Sequence, residues 1–149
     1  MIKQVLIGLL ALIVMACNKT DDMELELTEI HQGALYGAGE EDISEENFVI
    51  EKEQDWQDLL AKINAVNNES DNFSETEIDF DEFIVVACFD KARGSGGYSI
   101  KIADINSTKK EINLTVIKNS PADIAPAVIT QPYYIAKLPK TNKKITFTE

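Results

Sequence analysis

Between Glu53 and Val66 the apolar residues Trp56, Leu59, Leu60, Ile63 and Val66 recur at spacings of three and four, the period that lines one side of an α-helix. Glu53, Asp55 and Asp58 suit the dipole-positive start of that helix, and Asn67, Asn68, Asp71 and Asn72 close it in a polar loop. Trp56 opens the stripe and is expected to anchor a core rather than to offer a ligand platform. Further along, the period changes to two. Phe83 to Phe89 is apolar without interruption, as in a central strand covered on both faces. Gly97 to Ile105 alternates, with Tyr98, Ile100, Ile102 and Ile105 towards one face and Ser99, Lys101 and Ala103 towards the other; Glu111 to Lys118 alternates again through Ile112, Leu114 and Val116. Turn chemistry at Arg93-Gly94-Ser95-Gly96-Gly97 and Asn106-Ser107-Thr108 separates these runs and predicts antiparallel neighbours. A short strand at Phe48 to Ile50 precedes the helix, and strands near Tyr133 to Leu138 and Lys144 to Phe147 follow the loop Pro121 to Pro126. The fold class is α+β, one amphipathic helix packed on an antiparallel sheet of about five or six strands.

The stretch before residue 47 has a different texture. Met1 to Ala16 carries Lys3, an apolar run from Val5 to Val14 and then Ala16-Cys17, which resembles a bacterial lipoprotein signal peptide whose Cys becomes the lipidated first residue. The run is too short to span a bilayer, which needs roughly 20 apolar residues. An ordinary secretory signal with an incidental Cys is the plainer alternative. Residues 17–46 read as an acidic flexible tether with one strand around Ile30 to Leu35, and residues 47–149 as a single domain. Lys19 followed by Asp21 and Asp22 is similar to the signal that exports some lipoproteins to the outer leaflet of the outer membrane, chance acidity within an acidic tether being the plainer alternative. The expected location is therefore the outer membrane, lipid-anchored through Cys17, with the cell surface as one orientation.

Charge and chemistry narrow the function. The net charge of −12 argues against nucleic acid as a partner, since phosphates demand a basic face. Residues 18–82 hold 21 Asp and Glu against 3 Lys, while residues 83–149 hold 5 acids against 10 Lys and Arg. This asymmetry reads as a solvated acidic tether ahead of a Lys-bearing sheet, or as a bipolar surface for a basic partner. Cys88 lies inside an apolar run and is expected to be a buried thiol; His31, the only histidine, falls in the acidic segment and is expected to be solvated. No nucleophile or acid-base arrangement can be assembled around such a histidine, and neither a cofactor, a metal nor a small-molecule substrate is called for. Asp79, Asp81 and Glu82 stand close together but lack the glycine and distal Glu of a calcium loop.

Four features recur in a recognisable order: the helix with Trp56; Ile78-Asp79-Phe80 entering an apolar strand; Gly96-Gly97-Tyr98-Ser99-Ile100 opening the next; and Gln131-Pro132-Tyr133-Tyr134-Ile135-Ala136-Lys137-Leu138-Pro139 near the end. Together they resemble the C-terminal domain of PrcB, a lipoprotein subunit of a surface protease complex, over about residues 47–149. Arg93-Gly94-Ser95 stands where many relatives have a basic residue, Pro and Thr. The resemblance implies a non-enzymatic module that binds an envelope protein or stabilises a protease. Partner-binding candidates are Arg93, Gly96, Gly97 and Tyr98 in the turn, and Pro132, Tyr133 and Tyr134 as an edge strand. Their plainer role is to pack and turn the domain. The alternative function is a chagasin-like peptidase inhibitor, because Gly94-Ser95-Gly96-Gly97 matches the G-x-G-G loop of that family; its other two loops have no counterpart here.

Overall fold

The structure, a computed structural model, describes residues 25–149, so the signal segment 1–16, Cys17 and the segment Asn18 to Asp22 lie outside the described residues. The elements follow in the order β1 (Thr28–Leu35), β2 (Glu46–Ile50), α1 (Glu53–Ile63), β3 (Phe83–Phe89), β4 (Ser99–Ser107), β5 (Glu111–Asn119), β6 (Gln131–Pro139) and β7 (Lys144–Thr148), with a single 3-10 turn at Glu69–Asn72. The helix begins where predicted and stops earlier. Asn64 takes the C-cap position, and Val66 falls beyond it, 42% exposed.

The strands form two sheets rather than one, of order β1-β6-β3-β2 and β4-β5-β7. The reason lies in β3. Its Val85, Ala87 and Phe89 pack with Trp56, Leu59, Leu60 and Ile63 of α1, while Ile84, Val86 and Cys88 pack with Ile100, Ile102, Ile112, Leu114 and Val116 of the second sheet. A strand apolar on both faces needs two covers, and each Ile or Leu so buried contributes about 1.5–3 kcal/mol. One helix can supply only one cover. The strands β4 and β5, apolar on a single face, supply the other, giving three layers: helix, four-stranded sheet, three-stranded sheet.

All strand pairs are antiparallel except β5 and β7, which are parallel, with Ile112 opposite Ile145 and Leu114 opposite Phe147. Between them the chain passes through β6 in the other sheet, and that excursion acts as the crossover which a parallel pair requires.

The segment expected to be a tether is part of the folded body from Thr28 onward. Thr28–Leu35 is an edge strand of the first sheet, hydrogen-bonded along β6, and it contains the strand expected at Ile30 to Leu35. The following loop is also built into the body: Ile43 and Glu41 are buried, and Glu41 Oε1 accepts the Gly37 N–H at 2.7 Å. A segment this polar is held by hydrogen bonds to the rest of the fold rather than by its own periodicity. Ser74 Oγ donates to the Ile30 carbonyl, and Gln131 Nε2 donates to the Ile43 carbonyl at 2.8 Å.

Candidate functional site

Directly after β3 comes Asp90, whose side chain is 1% exposed. A carboxylate buried so far must be paired, and Arg93 does so with two hydrogen bonds, Nε to Oδ2 at 2.7 Å and Nη2 to Oδ1 at 2.9 Å. Lys118 Nζ stands 4.0 Å from Asp90 and also donates to Glu45 at 2.8 Å and to Glu149. The hydrogen bond from Lys118 holds Glu45 below the usual carboxylate range, and the bonds to Glu149 and then Glu45 raise Lys118 above the usual lysine value. The Arg93 guanidinium lies 4.7 Å from the centroid of the half-buried Tyr98 ring.

Arg93 also ties this turn to the loop before β6. Its backbone N–H donates to the Thr130 carbonyl at 2.7 Å and its carbonyl accepts from the Thr130 N–H at 3.0 Å. The Thr130 hydroxyl donates to the Ser95 carbonyl, and the Gly96 N–H donates to the Pro126 carbonyl. Turn and loop thus make one platform. Gly97 is required there, because its φ is +81° and a Cβ would come within 2.9 Å of Pro121 Cβ. Gly96 is not under that demand: an added Cβ would meet only ordinary contacts, the nearest at 3.5 Å.

The structure brings Pro132 beside the turn, with its carbonyl accepting the Asp90 N–H at 2.9 Å, but it does not leave the Pro-Tyr-Tyr segment as a contact surface. Pro132, Tyr133 and Tyr134 are all buried, since β6 lies inside the first sheet between β1 and β3. The Tyr133 ring stacks on Phe89 at 5.7 Å, and its hydroxyl donates to Glu69 Oε1 at 3.0 Å. His31 Nδ1 is 2.8 Å from the same hydroxyl, and its ring stacks on Phe73, so this histidine is a half-buried structural partner rather than a solvated residue. Burial first, and the Glu69 charge second, push the Tyr133 hydroxyl well above its ordinary value. Burial and then Glu29 push Tyr134 up to about 12. Burial likewise raises the Cys88 thiol to about 12, which keeps it un-ionised at neutral pH.

What the platform does expose was not foreseen. Ile124 is fully exposed, Val128 is 38% exposed and Ile129 is 47% exposed, all on the loop pinned to the Arg93–Tyr98 turn. The Asp90–Arg93 pair was missed too, although an acid at the end of an apolar run with Arg three residues later is a readable signal. Asp79, by contrast, builds a turn: its carboxylate accepts the Asp81 N–H and its carbonyl accepts the Phe83 N–H at the entry to β3. Among the described residues no group of three His, Cys, Asp or Glu side chains is arranged to hold a metal ion.

Arg93 is therefore both a surface residue and a structural counter-charge. Arg93→Ala is expected to lower the unfolding free energy by about 2–3 kcal/mol, because it leaves Asp90 buried with only the more distant Lys118. Adding Asp90→Asn to that variant should recover part of the loss in urea titrations; equal stability of the single and double variants would refute the pairing.

Residues 84–139 match the family model described as PrcB C-terminal. No curated protein and no solved structure is matched by the chain. The matched stretch begins at the second residue of β3 and ends with the last residue of β6, so it holds the Asp90–Arg93 pair, the glycine turn, the apolar loop and the central strand pair that carries them. This part of the chain is similar to the PrcB C-terminal domain.

Proposed function

We propose that the protein is a non-enzymatic, lipid-anchored protein of the outer membrane whose domain docks onto an envelope protein and stabilises it, a protease being the favoured partner. The observation that carries this reading is the exposure of Ile124, Val128 and Ile129 on a loop hydrogen-bonded through Pro126 and Thr130 to the Arg93–Tyr98 turn. Large apolar side chains exposed on one loop are chemistry that a protein-docking patch uses. The match to the PrcB C-terminal model supports association with a protease complex. Arg93, Gly97 and Tyr98 form the turn to which the loop is hydrogen-bonded, whereas Pro132, Tyr133 and Tyr134 are buried in the first sheet.

Substituting Ile124→Ser together with Ile129→Ser is expected to leave melting unchanged and to reduce cross-linking of the full-length protein to its envelope partner about tenfold, since each lost apolar anchor costs about 1 kcal/mol or more. Undiminished cross-linking would move the docking surface elsewhere. Inhibition of a papain-like protease by the purified domain, abolished in the same variant, would transfer the assignment to a peptidase inhibitor.

The anchor has its own test. Cys17→Ser is expected to abolish labelling by a fatty acid and to release the protein from membranes; labelling equal to that of the unaltered chain would remove the lipoprotein reading.

A further inference from the structure

The strand β2 ends the order of the first sheet, so the outward-facing backbone groups of Glu46–Ile50 pair with no strand among the described residues. Beside this open edge runs a groove of about 380 Å³ between β2 and α1. Its floor is apolar, from Phe48, Ile50 and Leu59, and its walls carry Asp42, Glu46, Asp55 and Asp58. Among the described residues none of these four carboxylates forms an ion pair. The single lysine of the wall, Lys62, is already committed, donating to the Asp42 carbonyl at 3.1 Å. On the other face of the same edge the chemistry shifts towards positive charge, with Val49 beside Ile145, Lys143 and Lys144 and a lone acid, Glu51, just past the strand's end.

We propose that the edge of β2 and the groove between it and α1 bind an extended basic segment of a partner protein, added to the four-stranded sheet as a further strand. An extended chain directs alternate side chains to opposite faces. Those facing α1 would meet Asp55, Asp58 and Glu46 and are Lys or Arg. Those facing β7 would meet Val49 and Ile145 and are apolar, because Lys143 and Lys144 repel a second row of cations. Backbone hydrogen bonds to β2 supply affinity, and the two unlike faces supply register.

Charge disfavours two occupants close at hand, a second copy paired β2 to β2 and the chain's own N-terminal segment. A second copy of the chain would lay its own Glu46 and Glu51 against the same acidic walls, and the chain's N-terminal segment offers Asp21, Asp22, Glu24 and Glu26. This surface uses none of the residues of the turn-and-loop platform, and the inference stands whether or not that platform docks.

The test uses the purified protein and a blocked peptide of alternating Lys and Val about seven residues long, enough to cover the five-residue edge with one residue over at each end. Binding is expected, weakening as salt is raised. A Glu46→Lys/Asp58→Lys variant, both positions exposed, should melt like the unaltered protein and raise the peptide Kd about tenfold or more. N-methylation of one alternating set of peptide amides should abolish binding while methylation of the other set is tolerated, a signature that charge attraction alone does not produce. Equal tolerance of both sets, equal binding of a Glu-Val peptide, or no binding at millimolar peptide would each overturn the proposal. So would self-association of the chain that Glu46→Lys/Asp58→Lys abolishes, which would assign the edge to a second copy.

Discussion

Tyr133→Ala is expected to lower the unfolding free energy by about 3–5 kcal/mol, a large share of the roughly 5–15 kcal/mol that holds a domain together. The ring is completely buried in the middle of the first sheet, where it fills space between Phe89, Phe73 and His31. Removing it leaves a cavity on the helix-facing side and also strands the partners of its hydroxyl, His31 Nδ1 and Glu69 Oε1. Tyr133→Phe separates the two contributions. It keeps the ring and should cost about 1–2 kcal/mol for the lost hydrogen bonds. Denaturant titration of the two variants checks the order, and a Tyr133→Ala midpoint equal to that of the unaltered protein would place the ring at the surface after all. Because the residue is structural, weaker partner capture by Tyr133→Ala would report unfolding rather than a lost contact.

Trp56→Ala should cost a similar amount, about 3–5 kcal/mol, for a different combination of reasons. The indole is fully buried against β3 and stacks on Phe73 at 6.4 Å, and its Nε1–H donates to the Thr76 carbonyl at 2.8 Å. That hydrogen bond clips the connection between α1 and β3 to the helix, so the variant loses both core volume and the position of the loop. Trp56→Phe retains most of the volume and should fall between the two. Thermal melting followed by far-UV circular dichroism reads both; a change of less than a degree in the Ala variant would be incompatible with a buried indole.

Trp56, Leu59, Leu60 and Ile63 identified the helix and its buried face because an α-helix buries a stripe set by its own period. Phe83–Phe89 announced a strand covered on both sides, and its burial on both faces agrees. The alternation in β4 and β5 located their inner faces up to the irregularity between Ile102 and Asp104, where the register shifts and the simple period of two no longer applies.

The candidate site was legible in its parts and misread in its assembly. Arg93, Gly97 and Tyr98 do lie together, and Pro132 is hydrogen-bonded beside them. Pro132 to Tyr134 looked like an edge because Pro lacks an N–H. Yet β6 is an inner strand, with Pro132 near its start, where the missing donor costs little. The apolar loop residues Ile124, Val128 and Ile129 carry no period, so only their exposure in three dimensions distinguishes them from ordinary core residues.

By itself the sequence determined the elements, the α+β class and the buried character of Trp56 and Cys88, because each follows from local spacing and from the transfer of apolar groups out of water. Only the tertiary structure decided that β4, β5 and β7 form a separate sheet, that β5 and β7 run parallel, and that residues 28–46 belong to the body. It alone decided that the Asp90 carboxylate is buried, so that Arg93 must neutralise it. These depend on which surfaces meet. A strand's second cover and the hydrogen-bond partners of turns, loops and buried hydroxyls come from residues distant in the chain: Thr130 for Arg93, Gln131 for Ile43 and Glu69 for Tyr133. No local pattern encodes those distances, and the energy that selects them appears only once the layers close on one another.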